Sequence, residues 1–213
     1  MRIVSPTGKN VSFNSRKINY KSIPTSVIIN GHTYGVTQIG NLLWITENLY
    51  EPLPSFGSLN NGKNYDSVWA NFPTLNDNSQ GYGILYYVSG IVRNTNNCRD
   101  YLLSLLPSGW RVPTLSDVND LINNASWEDL MNVNEGGVDT FGFNGKCAGA
   151  SARDWNYVNS QGYPGGECNL IIDDTTYTCL TVYHPSDPSR RMAPFFINWP
   201  YRIPIRLCCN IGD

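Results

Sequence analysis

Residues 107–118 constrain the fold more than any other part of the chain. They read Pro-Ser-Gly-Trp-Arg-Val-Pro-Thr-Leu-Ser-Asp-Val. Two prolines and a glycine interrupt regular backbone structure at the start of this segment. Thr114 and Asp117 then have the spacing of a helix N-cap and its carboxylate partner, a variant of the capping box. The segment therefore predicts a turn that leads directly into a helix held against a sheet.

Three segments carry the signals of short helices. After Thr114, apolar residues recur at helical spacing on one face at Leu115, Val118, Leu121 and Ile122. Residues 97–106 show the same spacing, and Ser126 with Asp129 repeats the cap pattern before a further short helix.

The rest of the chain is typical of β structure. Asn30-Gly31 between two β-prone runs, 26–29 and 33–39, is a strong hairpin signal, and 42–46 predicts a third strand. Residues 51–80 are polar and predict a long loop. Residues 82–91 predict a strand or an aromatic turn. Short strands resume after Phe141, and the clearest are 170–172, 179–183 and 203–207.

Composition narrows the class of protein. Hydrophobic residues make up 41% and charged residues 15%, with 19 Gly and 13 Pro, which favours a loop-rich β structure. The net charge of −2 argues against a nucleic-acid partner, and no apolar stretch is long enough to span a bilayer. Residues 1–25 contain basic residues and no acidic one. We interpret them as an arm or added hairpin that docks onto a larger assembly, or as a first strand of the domain formed by residues 26–213.

Several blocks in fixed order resemble one known family. They are Gly31–Gly40, Trp44, Glu47–Leu49, Gly83–Tyr87, Pro107–Thr114, Phe141–Phe143 and Arg206–Cys208. This order resembles the Fibrobacter succinogenes major paralogous domain family. Two positions depart from its pattern: Thr37 stands where the family has Val, and Leu207 separates Arg206 from Cys208.

The resemblance implies an α+β, C-type-lectin-like fold, with twisted antiparallel strands, two or three short helices and long loops. Members are mostly surface proteins of gut and rumen bacteria and of their phages, with no established catalytic activity. Asn48 is expected to fix a backbone turn, and Arg111 to pack its guanidinium on aromatic faces. We predict structural roles for the motif residues Trp44, Asn48, Gly109, Trp110, Arg111 and Pro113.

Six cysteines are present: Cys98, Cys147, Cys168, Cys179, Cys208 and Cys209. With no C-x-x-C pair and two histidines, a structural zinc site is not expected. Adjacent residues of a strand point to opposite faces, so a disulfide between Cys208 and Cys209 would require a strained turn. We predict mostly free, partly buried thiols.

Specific chemistries find little support. The acidic motifs of calcium-dependent lectins are missing, and Glu51-Pro52 is in the wrong place for one. Residues 76–81 resemble the start of an EF-hand loop, but Tyr87 occupies the position of its bidentate Glu. The formylglycine-generating enzymes share a block like Arg111–Thr114, yet their reactive cysteines are separated, unlike Cys208 and Cys209. We therefore predict no catalytic residue, no metal ligand and no cofactor.

Binding remains as the expected activity. In lectin-like folds the long loops between the late strands form the recognition surface. Aromatic and arginine side chains are enriched in such surfaces. The predicted binding residues are Trp155, Tyr157, Tyr163, Tyr183, His184, Arg190, Trp199 and Tyr201. The alternative is that half of these rings pack in the core.

The first ten residues show no apolar signal-peptide region. We expect a non-enzymatic phage virion protein, located in the virion as a capsid decoration, tail or fibre component. Its partners would be other virion proteins or host-surface polysaccharide, and it would be a homo-oligomer or part of a larger assembly. The alternatives are a bacterial surface adhesin or lipoprotein domain that lacks its export signal here and, third, an enzyme of the formylglycine-generating type.

Overall fold

The computed structural model describes residues 22–51, 83, 85–87, 91, 94, 97–146, 149–152, 155–158, 168–172, 178–182, 192–196 and 202–212. Its strands are β1 (Ser26–Ile29), β2 (His32–Ile39), β3 (Leu42–Ile45), β4 (Leu85–Tyr87), β5 (Gly149–Ala152), β6 (Trp155–Val158), β7 (Cys168–Ile172), β8 (Thr178–Val182), β9 (Met192–Phe196), β10 (Arg202–Pro204) and β11 (Cys208–Asn210). Its helices are α1 (Cys98–Leu105), α2 (Leu115–Asn124), α3 (Trp127–Leu130) and the 3-10 turn η1 (Val133–Glu135). This is an α+β structure, as predicted.

The first sheet has the strand order β1-β2-β3-β11, and all of its pairs are antiparallel. Asn30 and Gly31 form the turn between β1 and β2, with φ angles of 47° and 86°. A two-residue turn with positive φ at both positions matches the right-handed twist of its strands, and Asn-Gly tolerates it best. The predicted hairpin and third strand are confirmed.

Two further antiparallel sheets follow, with orders β4-β10-β5-β6 and β7-β8-β9. The single strand predicted over 203–207 is wrong in extent. β10 ends at Pro204, residues 205–207 are not in a strand, and β11 resumes at Cys208 in the first sheet. Proline cannot donate to a ladder, which favours the break at this point. Residues 205–207 therefore connect two sheets.

The helices begin where the cap signals placed them. Thr114 accepts from the Asp117 amide, and the Asp117 carboxylate accepts in return from the Thr114 amide, a complete capping box. Ser126 and Asp129 repeat it at α3. α1 differs, because Asn97 at its start has a φ of 60° and makes no side-chain cap bond. Gly109 has a φ of 83° in the turn that follows α1.

The core lies where the first sheet meets α2 and the residues that follow β10, 205–207. Its largest fully buried side chains include Trp44, Tyr34, Tyr86, Phe143 and, unusually, Arg206. From α2, Val118 and Leu121 are buried, as the helical spacing predicted. No helix among the described residues is long and apolar enough to cross a membrane.

Most of the predicted N-terminal arm, residues 1–21, lies outside the described residues. Its last residue, Thr25, accepts a hydrogen bond from the Val36 amide at 2.9 Å. This bond extends the β1–β2 pairing by one step beyond Ser26.

The two capping boxes have the same pair of hydrogen bonds but differ in burial. Comparing them therefore tests how burial changes the contribution of the cap to stability. Burial pushes the pKa of Asp117 up, but hydrogen bonds from Arg111 and Thr114 outweigh it and hold that pKa below its ordinary value. We expect Asp117→Asn to lower the free energy of unfolding by about 2–3 kcal/mol at neutral pH. Asp129→Asn, which removes the same cap from an exposed helix start, should cost clearly less.

Urea unfolding followed by circular dichroism measures both variants. The contribution of Asp117 should be fully present above the ordinary aspartate pKa of about 3.9 and disappear as the pH falls through the lowered folded value. Equal losses for the two variants at neutral pH would contradict a special role for Asp117.

Candidate functional site

The structure places two of the predicted binding residues, and it corrects their setting. Trp155 and Tyr157 lie in β6, so their assignment to a loop was wrong. Their role in binding stays a prediction. The other six lie outside the described residues: Tyr163, Tyr183, His184, Arg190, Trp199 and Tyr201.

β6 is the last strand of its sheet. It pairs with β5 so that Trp155 stands opposite Ala152 and Tyr157 opposite Ala150. Because strand residues alternate between faces, Trp155 and Tyr157 share one face, about 7 Å apart along the strand. The cross-strand neighbours of both are alanines. In the register of the two described strands, two aromatic residues thus stand opposite two alanines.

The segment 205–207 attaches this sheet to the first one. The Leu49 amide donates to the Ile205 carbonyl at 2.8 Å, and the Ile45 amide donates to the Leu207 carbonyl at 3.2 Å. Arg111 and Cys208 exchange two backbone hydrogen bonds, of 2.9 and 3.0 Å. Within a few residues of β10, the chain is therefore hydrogen-bonded to the end of β3 and the residues after it, and also to Arg111.

At the centre of this segment lies a fully buried guanidinium, that of Arg206. Its Nε donates to Asn48 Oδ1 at 2.9 Å, and its Nη2 donates to the Asn144 carbonyl at 2.9 Å. Nη1 donates to the carbonyls of Ile45 and Phe143. The guanidinium carbon also lies 4.3 Å from the centre of the Phe143 ring. We call these residues the Arg206 cluster.

The described partners of Arg206 are neutral acceptors and a ring. Burial lowers the pKa of Arg206 to about 9, with Glu47 and Asp139 acting in the opposite direction. The group stays charged at neutral pH. Its charge is therefore accommodated by carbonyl dipoles and a π face, an arrangement that the planar fork of Arg allows and the ammonium of Lys does not.

A second buried group, the Glu51 cluster, joins β2 to β4. Tyr34 in β2 donates its hydroxyl to Glu51 Oε1 at 2.8 Å, and Asn30 Nδ2 donates to Oε2 at 3.0 Å. The hydroxyl of Tyr86, in β4, binds the backbone of Glu51. It accepts a hydrogen bond from the Glu51 amide at 2.9 Å and donates one to the Glu51 carbonyl at 3.0 Å. Burial raises the pKa of both tyrosines well above the ordinary value. Both therefore stay neutral donors.

Arg111 makes an ion pair, which corrects the prediction that it packs on aromatic faces. Its Nη2 and Nε donate to the two carboxylate oxygens of Asp117 at 2.8 and 3.2 Å, and Nη2 also reaches Asn210 Oδ1 at 2.9 Å. The neighbouring Asp117 draws the guanidinium to itself because opposite charges pair more strongly than a cation and a ring. Of the described arginines, Arg206 makes the aromatic contact instead. Trp110 is partly buried against the core.

Cys208 is a buried thiol beside the same carboxylate. Its Sγ donates to Asp117 Oδ2 at 3.6 Å. Burial, and then Asp117, raises the pKa of this thiol well above the ordinary range. A nucleophilic or metal-binding cysteine requires the thiolate, which this setting disfavours. Cys98 and Cys208 are free and buried, in agreement with the predicted thiols.

One departure from the pattern of the family that the sequence resembles has a structural consequence. Thr37 donates its hydroxyl to the Phe141 carbonyl at 2.5 Å. Valine, which the pattern has at this position, cannot make that bond. Thr37 therefore ties β2 to the segment that carries Phe143.

Within the described residues, no group of three or more His, Cys, Asp or Glu side chains is arranged to hold a metal ion. The nearest acid–base pair is exposed: His32 Nε2 lies 3.8 Å from Glu47 Oε1. The described polar clusters instead hold separate segments of the chain together.

Sequence reasoning missed the Glu51 and Arg206 clusters. Glu51 was considered only as a misplaced calcium-lectin motif, although an acidic residue after an apolar run can indicate a buried link. Arg206 was noted only as a motif position. Its partner Asn48 is 158 residues away, and no local pattern reveals that distance.

In comparisons with known proteins, no family model matches the chain, and no curated protein or solved structure matches it significantly.

Replacing Arg206 tests whether the planar guanidinium, with its several donors, is needed for stability. We expect Arg206→Lys to lower the free energy of unfolding by about 3 kcal/mol, because Lys keeps the buried charge but leaves carbonyls unpaired. Arg99→Lys, the same change on the partly exposed α1, is the control. Urea unfolding measures both, and a loss no larger for Arg206 than for Arg99 would contradict the assigned role.

Proposed function

We propose that this chain is a non-enzymatic bacteriophage virion protein, a capsid decoration, tail or fibre component. Its C-type-lectin-like domain, of the Fibrobacter succinogenes major paralogous type, binds host-surface polysaccharide or other virion proteins. The β5–β6 edge is part of the binding surface, and residues from the late segments complete it.

The observation that carries this proposal is the placement of Trp155 and Tyr157. They share one face of the last strand of a sheet, opposite two alanines. Flat aromatic residues provide large contact area with little loss of conformational entropy, and their rings suit both sugars and proteins. A sheet edge also offers backbone groups to a partner.

The convergence of the resemblance blocks adds support. Tyr34, Asn48, Phe143 and Arg206 come from four separate blocks and lie within the two buried polar clusters. Gly83, from a fifth block, lies against Asn48: with a φ of 71°, an added Cβ would stand 2.5 Å from that of Asn48. Residues that share one packing role are expected to recur together, which accounts for the motif without invoking catalysis.

Removing the two rings tests the binding surface. We expect Trp155→Ala with Tyr157→Ala to weaken binding to host-surface polysaccharide, or to purified virions that lack the protein, by about tenfold or more. Asn156→Ala, on the opposite face of the same strand, should change it little. Calorimetric titration measures binding, and unchanged melting curves show that the variants fold. Full binding by the double variant would refute this surface.

Location separates the virion protein from an adhesin. Antibody labelling with electron microscopy of the source culture should mark released particles at a defined position. Label on intact cell envelopes instead would contradict the virion proposal and favour the surface adhesin.

A further inference from the structure

The hairpin turn at Asn30-Gly31 joins an exposed reactive sequence to a buried carboxylate. Asn30 is exposed, and its side-chain amide nitrogen donates to Glu51 Oε2 at 3.0 Å. Glu51 itself is 2% exposed and accepts from Tyr34 through its other oxygen. One surface amide is therefore part of the Glu51 cluster, which joins β2 to β4.

Asparagine followed by glycine is the sequence most prone to spontaneous deamidation, because glycine does not hinder attack by its own backbone nitrogen. We propose that Asn30 is a deamidation site and that its conversion releases the hairpin turn from the Glu51 cluster. This inference does not depend on the proposed function.

The reaction needs only water. The Gly31 backbone nitrogen loses its proton and attacks Asn30 Cγ, the bond from Cγ to Nδ2 breaks, and ammonia leaves with a proton from the solvent. The resulting five-membered succinimide is opened by one water molecule at either carbonyl. The products are aspartate, or isoaspartate with the chain rerouted through the side chain. The net change is asparagine plus water giving a carboxylic acid plus ammonia.

The surroundings of Gly31 leave the attacking nitrogen accessible. Gly31 is exposed, and among the described residues nothing except its own chain neighbours lies within 4 Å of the place where a Cβ would stand. No hydrogen bond of its amide to another backbone group is found among the described residues. The turn can therefore admit hydroxide and change shape without displacing neighbours.

The chain contains an internal control with the same two residues. At Asn144-Gly145, Gly145 is buried and its amide donates to the Leu130 carbonyl at 2.8 Å. A Cβ there would meet that carbonyl oxygen at 2.7 Å. The Asn144 side chain is held by Asn132 at 2.6 Å, and its carbonyl by Arg206. This site must open before it can react.

Deamidation of Asn30 turns its attractive contact with Glu51 into a repulsive one. A donor amide becomes a carboxylate that faces Glu51 Oε2, and two acceptors with like charge repel at that distance. Among the described residues, the other titratable groups around Glu51 are the hydroxyls of Tyr34, Tyr86 and Tyr50, with His32 against the Tyr34 ring at 4.4 Å between centroids. None of them supplies a fixed positive charge to compensate. The turn is expected to detach from Glu51.

Incubating the full chain at mildly alkaline pH, followed by digestion after glutamate and mass spectrometry, measures the reaction. Asn30 and Asn144 fall in different peptides, because glutamates stand at 47, 128 and 135. We expect deamidation at Asn30 at least about tenfold faster than at Asn144, whose glycine amide must first leave a buried hydrogen bond. An intact Asn30, or equal rates at the two sites, would overturn the proposal.

The structural consequence is tested on aged wild-type protein and on a variant pair. Ion exchange separates the deamidated species, and peptide mapping identifies the one changed at Asn30 and not at Asn61, which is also followed by glycine. That species should melt about 2–4 °C below the intact protein. Asn30→Asp should reproduce this shift, Asn30→Ser should show less of it, and Asn30→Asp with Glu51→Gln should recover most of it. If the aged species melts like the intact one, or if the shift persists without the Glu51 charge, the proposed release is wrong.

Discussion

A buried positive charge without a described carboxylate partner is the constraint on which the rest of this structure depends. Burying a guanidinium costs several kcal/mol unless each donor finds an acceptor. Arg206 meets this condition with Asn48, three backbone carbonyls and the Phe143 ring. These acceptors come from the end of β3, the residues after it and the segment before β5. The guanidinium can be satisfied only when all of them are in place, so it couples parts of the chain that no local interaction joins.

The Glu51 cluster completes this coupling with the opposite charge. Its carboxylate is held by neutral donors, Tyr34 and Asn30, while Tyr86 binds its backbone. Hydrogen bonds to a charged acceptor are about twice as strong as neutral ones, which offsets part of the cost of burial. Glu51 lies three residues after Asn48, so one short stretch carries contacts to both clusters. Hydrogen bonds to the buried Glu51, as well as apolar packing, therefore hold the first sheet and β4 together.

The features that the sequence revealed are those whose cause is local. The Asn30-Gly31 hairpin and the caps at Thr114 and Ser126 depend on residues at most three positions apart, and the structure has them where they were predicted. The partner of Arg111 was predicted wrongly and that of Arg206 was not predicted, because the contacts of a buried cation depend on which segments the fold brings to it. Arg111 found Asp117 six residues away, whereas Arg206 found its acceptors 62 or more residues away. The binding residues were placed in late loops because of the resemblance to lectin-like folds, and the structure has Trp155 and Tyr157 in a strand.

Among the described residues, the cysteines add hydrogen-bonding and apolar contacts to this coupling. In the β7–β8 ladder, Cys168 pairs with Val182 and Cys179 with Ile172. The register thus offsets Cys168 from Cys179 by four positions along β7 and three along β8, about 10 Å, which is beyond the Cα separation that a disulfide spans. Cys98 and Cys208 are free, and the Cys208 thiol donates a hydrogen bond to the Asp117 carboxylate. Around Asp117, the described contacts between segments are therefore hydrogen bonds, an ion pair and apolar packing, and the buried Cys208 thiol takes part as a hydrogen-bond donor.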